Sequence, residues 1–80
     1  MKVTYDAEVD ILRLIFSTTL IAESDEAKPG VILDYDGDGN IVGMEILDAS
    51  TRTENPFAVE YSVVGNTAGN QEPRKIRRSA

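Results

Sequence analysis

Apolar and polar residues alternate with a period of two through much of the first 64 residues, and no stretch is long enough for a substantial helix. In "KVTYD", Val3 and Tyr5 alternate with Lys2 and Thr4, which predicts a strand near 2–6. "DAEVD" is acidic at both ends and too short for a stable helix, so it predicts a turn or a single helical turn. "ILRLIF" sets Leu12, Leu14 and Phe16 on one face and Ile11 and Ile15 around Arg13 on the other. Its β-branched content and the abrupt "STT" predict a strand near 11–16. "IAESDEAKPG" turns acidic and ends in Pro-Gly; it reads as a short edge strand or a loop, because Pro29 cannot donate to a central ladder. "VILDYD" and "NIVGMEILDA" predict strands near 31–36 and 40–47. After the polar "STRTENP", "FAVEYSVV" alternates Phe57, Val59, Tyr61 and Val63 against Ala58, Glu60 and Ser62, predicting a fifth strand near 57–64.

The fold class is therefore mainly β: a small antiparallel sheet, a meander of about five strands, in a single domain over residues 1–64. Residues 65–80, "GNTAGNQEPRKIRRSA", have almost no apolar side chains and read as a disordered basic tail. One feature resists a one-sided sheet. Val31, Leu33, Tyr35, Ile41 and Leu47 are expected on one face, and Ile32, Val42, Met44 and Ile46 on the other. A second copy would cover the latter four, so a homodimer with Ile32, Val42, Met44 and Ile46 at its interface is expected.

Composition strengthens that expectation. Eighty residues bury a small fraction of their surface, and such chains usually need a staple. There is no cysteine for a disulfide or thiolate site, and no histidine, the commonest metal ligand and general base. Oxygen-ligated metal and oligomerisation are what remain. Residues 1–64 carry four Lys/Arg against thirteen Asp/Glu, a net of −9; residues 65–80 carry four against one, a net of +3. An acidic body disfavours nucleic acid and anionic lipid, leaving only weak contacts by the Arg74–Arg78 stretch of the tail. No apolar run approaches the roughly 20 residues of a membrane span. The polar, acidic "MKVTYDAEVD" does not read as a signal peptide, so the expected location is cytoplasmic.

The segment Asp34–Glu45, "DYDGDGNIVGME", spells the EF-hand calcium loop, with acids at positions 1, 3, 5 and 12 and glycine at 6. An EF-hand needs an incoming helix near residues 24–34, where Pro29-Gly30 would cost about 3 and about 1 kcal/mol. "DGDGN" fits instead a hairpin: Asp36 begins a type I turn, Gly37 and Asp38 form its centre, and Gly39 takes a positive φ. With Asp36 opposite Asn40, an uninterrupted ladder sets Tyr35 opposite Ile41, Leu33 opposite Gly43 and Glu45 opposite Val31. Glu45 then lies on the Tyr35 face, roughly 10 Å along the strand from Asp34, too far to close a coordination sphere. The expectation is a structural turn with no cofactor, and Asp34, Asp36 and Asp38 as the residues for weak surface cation binding.

Other chemistry is sparsely signalled. Carboxylates are abundant but no pair stands out, "GDGNIVG" has no phosphate-loop spacing, and Ser17, Thr18 and Thr19 lack a histidine partner. No catalytic residue is assigned. The stretches "VTYDAEVDILRLIF" and "AESDEAKPGVILDYDGDGNIVGMEILDAS" resemble the domain of unknown function family 2283, small prokaryotic and phage proteins, over residues 3–50. The shared pattern is a Tyr-Asp opening with an acidic turn, an apolar strand, Pro-Gly, Val-Ile-Leu-Asp-Tyr-Asp, an Asp-Gly-Asn turn and a Glu-Ile-Leu-Asp-Ala-Ser ending. Arg13 stands where the family often has tyrosine, and the segment after Ser50 departs from its usual short ending. The resemblance implies a compact β-rich fold and no established activity. It also implies neighbours that are small toxin-like proteins, hence an antitoxin-like or regulatory role. A noncatalytic protein-interaction module with a small protein partner is the expected function. The alternatives are a small carboxylate-using enzyme or small-molecule binder, and weak calcium binding at Asp34–Glu45.

Overall fold

A computed structural model of the chain describes residues 1–65. They form one five-stranded antiparallel sheet: β1 (Lys2–Asp6), β2 (Ile11–Ile15), β3 (Glu23–Lys28), β4 (Val31–Tyr35) and β5 (Ile41–Leu47), followed by a short helix, α1 (Ala49–Arg52). The strand order is β1-β2-β5-β4-β3. A β1–β2 hairpin and a β3–β4–β5 meander thus meet along β2 and β5, so a simple five-strand meander is not what forms. The chain leaves β2 near the centre and starts again at the far edge, and Ser17–Ile21 line a hollow on one face of the sheet with Ile15, Val42 and Glu45.

The fifth strand is the acidic segment 23–28. All six of its residues are exposed, as suits an edge strand whose Glu23, Asp25 and Glu26 discourage further pairing. The strand expected near 57–64 does not form: residues 58–64 make no ladder despite their alternation. An alternating sequence becomes a strand only where an edge pairs with it, and residues 58–64 pair with neither outer edge, β1 or β3. The tail expected to be disordered lies, from residue 66 onward, outside the described residues.

The turn at Asp36–Asn40 forms as its residues predict. The Gly39 N–H donates to the Asp36 carbonyl at 3.1 Å, the Asp36 N–H to the Asn40 carbonyl at 2.9 Å, and Gly39 has φ 85°. Beyond it the ladder is not uninterrupted. Tyr35 pairs with Ile41, but Asp34 pairs with Gly43, so Val42 is an extra residue on β5. Leu33 therefore meets Met44, not Gly43, and Glu45 meets Ile32, not Val31.

That bulge redistributes the faces. Two cross-sheet rows, Val3–Leu14–Met44–Leu33 and Tyr5–Leu12–Ile46–Val31, share one apolar face. The opposite face carries Thr4–Arg13–Glu45–Ile32 and Lys2–Ile15–Gly43–Asp34, with Arg13 and Glu45 in an ion pair at 3.0 Å. The expected quartet is thus split: Met44 and Ile46 belong to the apolar face, Ile32 to the other. Val42 lines the hollow beside Ile15 and is only 3% exposed within one chain. Leu47, expected beside Val31, pairs with Ile11 on the mixed face instead. Val42 and Ala49 are the buried apolar residues among those described.

Gly39→Ala should lower stability by about 1–2 kcal/mol, because alanine adopts a positive φ at that cost, with the sheet preserved. Val42→Ala should cost a similar amount, about 1.5 kcal/mol for two methyl-sized groups at about 0.8 kcal/mol each, and through packing alone. Urea unfolding of both variants, read by far-UV circular dichroism, checks the pair.

Candidate interaction surface

Three polar clusters and one apolar surface are candidates for function. The first cluster joins the β1–β2 turn to α1. The turn bends through Asp10, which holds the left-handed φ of 59° that aspartate tolerates better than most residues. The Tyr5 hydroxyl donates to Asp10 Oδ1 at 2.7 Å, the Ser50 N–H donates to the same oxygen at 2.9 Å, and Ser50 Oγ donates to Oδ2 at 2.6 Å. The Ala49 N–H donates to the Asp10 carbonyl at 3.0 Å. Ser50, then Tyr5, holds the Asp10 carboxyl below the usual carboxylate range, while the same hydrogen bond to Asp10 raises the Tyr5 phenol. This cluster escaped the sequence reading. Its signal lies in the pattern that carries the resemblance, whose Tyr-Asp opening and Asp-Ala-Ser ending supply Tyr5 and Ser50.

The second cluster is the acidic loop. Asp36 is buried and spends its carboxylate on the loop itself: Oδ1 accepts from the Asp38 and Asn40 N–H groups, each at 2.9 Å, and Oδ2 from the Asn40 amide at 3.1 Å. The backbone N–H of Asn40, then its side chain, lowers the Asp36 pKa. Asp34 is buried over Gly43 and accepts from Ser24 Oγ at 2.6 Å. Asp38 is exposed on the turn. Glu45 stands on the Asp34 face, correcting the expectation that it faces the Tyr35 side; the extra residue at Val42 turns it over. Its carboxylate is taken by Arg13. Among the described residues no group of three or more acidic side chains is arranged to hold a metal ion.

The third cluster ties the β3–β4 turn, at the same end of the sheet but on the other side of β5. Arg52 donates to the Pro29 carbonyl at 2.7 Å, and the Gly30 N–H donates to Glu26 Oε2 at 2.9 Å. Gly30 has φ 80°, and a Cβ there would meet the Arg52 guanidinium at 2.5 Å, so the close approach of α1 to the β3–β4 turn requires glycine.

The apolar surface is the face of Val3, Tyr5, Leu12 and Leu14 with Met44, Ile46, Val31 and Leu33 beside them. Residues 53–60 lie over its first half, where the Phe57 ring meets Tyr5 edge-on with centroids 5.0 Å apart. Val31, Leu33, Met44 and Ile46 of the second half stay half-buried. Phe57 itself is 77% exposed and Tyr61 is 74% exposed. No helix among the described residues is long and apolar enough to cross a membrane.

A small all-antiparallel sheet with an acidic edge, an ordered aspartate turn and a half-covered apolar face defines the class of protein. The chain belongs to the family described as protein of unknown function (DUF2283), which matches residues 2–50, all five strands and the start of α1. No curated protein and no solved structure matches it.

The hydrogen bonds of Asp10 and Asp36 fix the sign of the acid response. Both native pKa values lie below the ordinary 3.8, so their stabilisation is complete above that value and is lost as pH falls through the lowered ones. Asp10→Asn keeps a residue tolerant of the left-handed φ but removes the charge. It should be less stable than the parent at pH 7 and lose less between pH 5 and pH 3, as measured by thermal unfolding across that range.

Calorimetric titration with calcium at physiological ionic strength should give no micromolar one-site isotherm. An isotherm of that kind, lost in Asp34→Asn, would show that the loop opens to bind metal.

Proposed function

We propose that this protein is a noncatalytic interaction module that binds a protein partner through the apolar face of its sheet. The observation that carries this reading is the exposure of that face. Eight apolar side chains gather in two rows, yet none of them is fully buried in the single chain. Each fully buried side chain of this kind contributes roughly 1.5–3 kcal/mol, so leaving a continuous set half-wet costs a small domain much of its stability. The clustered polar groups support the same reading from the other side. Asp10, Asp34, Asp36 and Glu45 all accept bonds that hold turns and strands in place. A regulatory, antitoxin-like role with a small protein partner follows the family resemblance and fits a surface of this size. The acidic edge of β3 repels strand addition and nucleic acid alike, which directs binding to the face.

Native mass spectrometry on protein purified gently from its own host tests the reading. A stoichiometric polypeptide, whether another protein or a second copy, is the expected result. A monomer carrying a metabolite or nucleotide would overturn it in favour of a small-molecule function.

A further inference from the structure

Residues 57–64 are the unexplained part of this molecule. They alternate as a strand does, with Phe57, Val59, Tyr61 and Val63 on one side. Yet they join no ladder, and Phe57, Val59 and Tyr61 are 77%, 71% and 74% exposed. Only the first part of the segment touches the sheet, through Phe57 on Tyr5. The arm also lies beyond the residues that the family matches, so it is an addition to a complete sheet.

We propose that the end of this arm makes the chain a homodimer, each copy laying its residues 61–64 across the open half of the other copy's apolar face, over Val31, Leu33, Met44 and Ile46. This rests on the interaction-module reading and names its partner as a second copy. Three observations select that occupant. The first is reach. The four residues 61–64 span at most roughly 13–14 Å, and the open half they would cross is two strands, β5 and β4, spaced about 4.8 Å apart. An arm leaving its own sheet after Glu60 is long enough to cross that half of a neighbouring one. The second is mutual need: an exposed apolar arm and a half-exposed apolar face occur on the same chain, and a twofold axis satisfies both on both copies at once. The third is area. The Tyr61 ring buries roughly 150–250 Å². With Val63, Val64 and the sheet residues beneath, each copy passes the roughly 500 Å² per partner that a specific interface should clear. Residues 61–64 carry no charge, so no desolvation of charge opposes their docking.

Sedimentation equilibrium of the full chain at micromolar concentration should give twice the chain mass. Tyr61→Lys lies outside every strand and should leave the circular dichroism unchanged while weakening dimerisation at least tenfold. In a mixture of isotope-labelled and unlabelled chains, filtered nuclear Overhauser spectra should connect the Tyr61 ring to Leu33 and Met44 methyl groups of the other copy. A monomer mass, a dimer indifferent to Tyr61→Lys, or contacts only within one chain would each overturn the proposal. A monomer that still holds a different protein stoichiometrically overturns this inference while leaving the interaction-module reading intact.

Discussion

The extra residue at Val42 governs what each face of the sheet presents. Side chains alternate with a period of two, so one inserted residue exchanges every position beyond it. Met44 and Ile46 join Val31 and Leu33, and Glu45 is turned toward Arg13 on the other side. The insertion is stabilised where it occurs. The Val42 carbonyl accepts from Phe16 and Ser17 N–H groups at 2.8 and 3.2 Å, which binds the bulge to the end of β2. Its side chain lines the hollow beneath the crossing loop. Gly43 follows, where a Cβ would come within 3.1 Å of the Leu14 carbonyl and 3.2 Å of Asp34. The bulge, the crossing loop and the buried Asp34 therefore depend on one another.

The end of the sheet where β5 finishes is held by polar rather than apolar contacts. Asp10 gathers Tyr5, Ala49 and Ser50, while Arg52 reaches the Pro29 carbonyl. Helix α1 has only four residues and gains little from its own hydrogen bonds. It is placed by what it touches in the two turns flanking the end of β5, and Ala49 is wholly buried. This anchoring directs the chain after Arg52 across the apolar face, where Phe57 meets Tyr5. A local turn at residue 10 thereby decides where a segment nearly 50 positions later begins.

A chain this short cannot enclose a core and also leave a sheet flat and accessible. Here the balance favours accessibility: the apolar face is shared between a partial cover supplied by residues 53–60 and open surface. Strand β3 exposes Glu23, Asp25 and Glu26, which oppose pairing with another strand at that edge.

Local physics made much of this protein legible in its sequence. Period-two patterning placed the strands near 2–6, 11–16, 31–36 and 40–47, because alternation depends only on each strand having two unlike sides. The Asp36–Asn40 turn was equally readable, since a type I turn closed by a left-handed glycine is set by four adjacent residues. The remainder was decided by partners distant in the chain. "ESDEAK" lacks an apolar pattern because an exposed edge strand buries neither side, so only its pairing with β4 reveals it. "FAVEYSVV" has the pattern but pairs with neither edge strand, and a strand without a ladder is not a strand. The bulge at Val42 is invisible until β5 meets β2 and β4 together, and with it went the expected grouping of Ile32 with Met44 and Ile46 on one face and the expected position of Glu45. The Tyr5–Asp10–Ser50 cluster joins residues 40 and more positions apart. Tertiary structure decided these because hydrogen-bond register and burial belong to pairs of segments, whereas a sequence displays its segments one at a time.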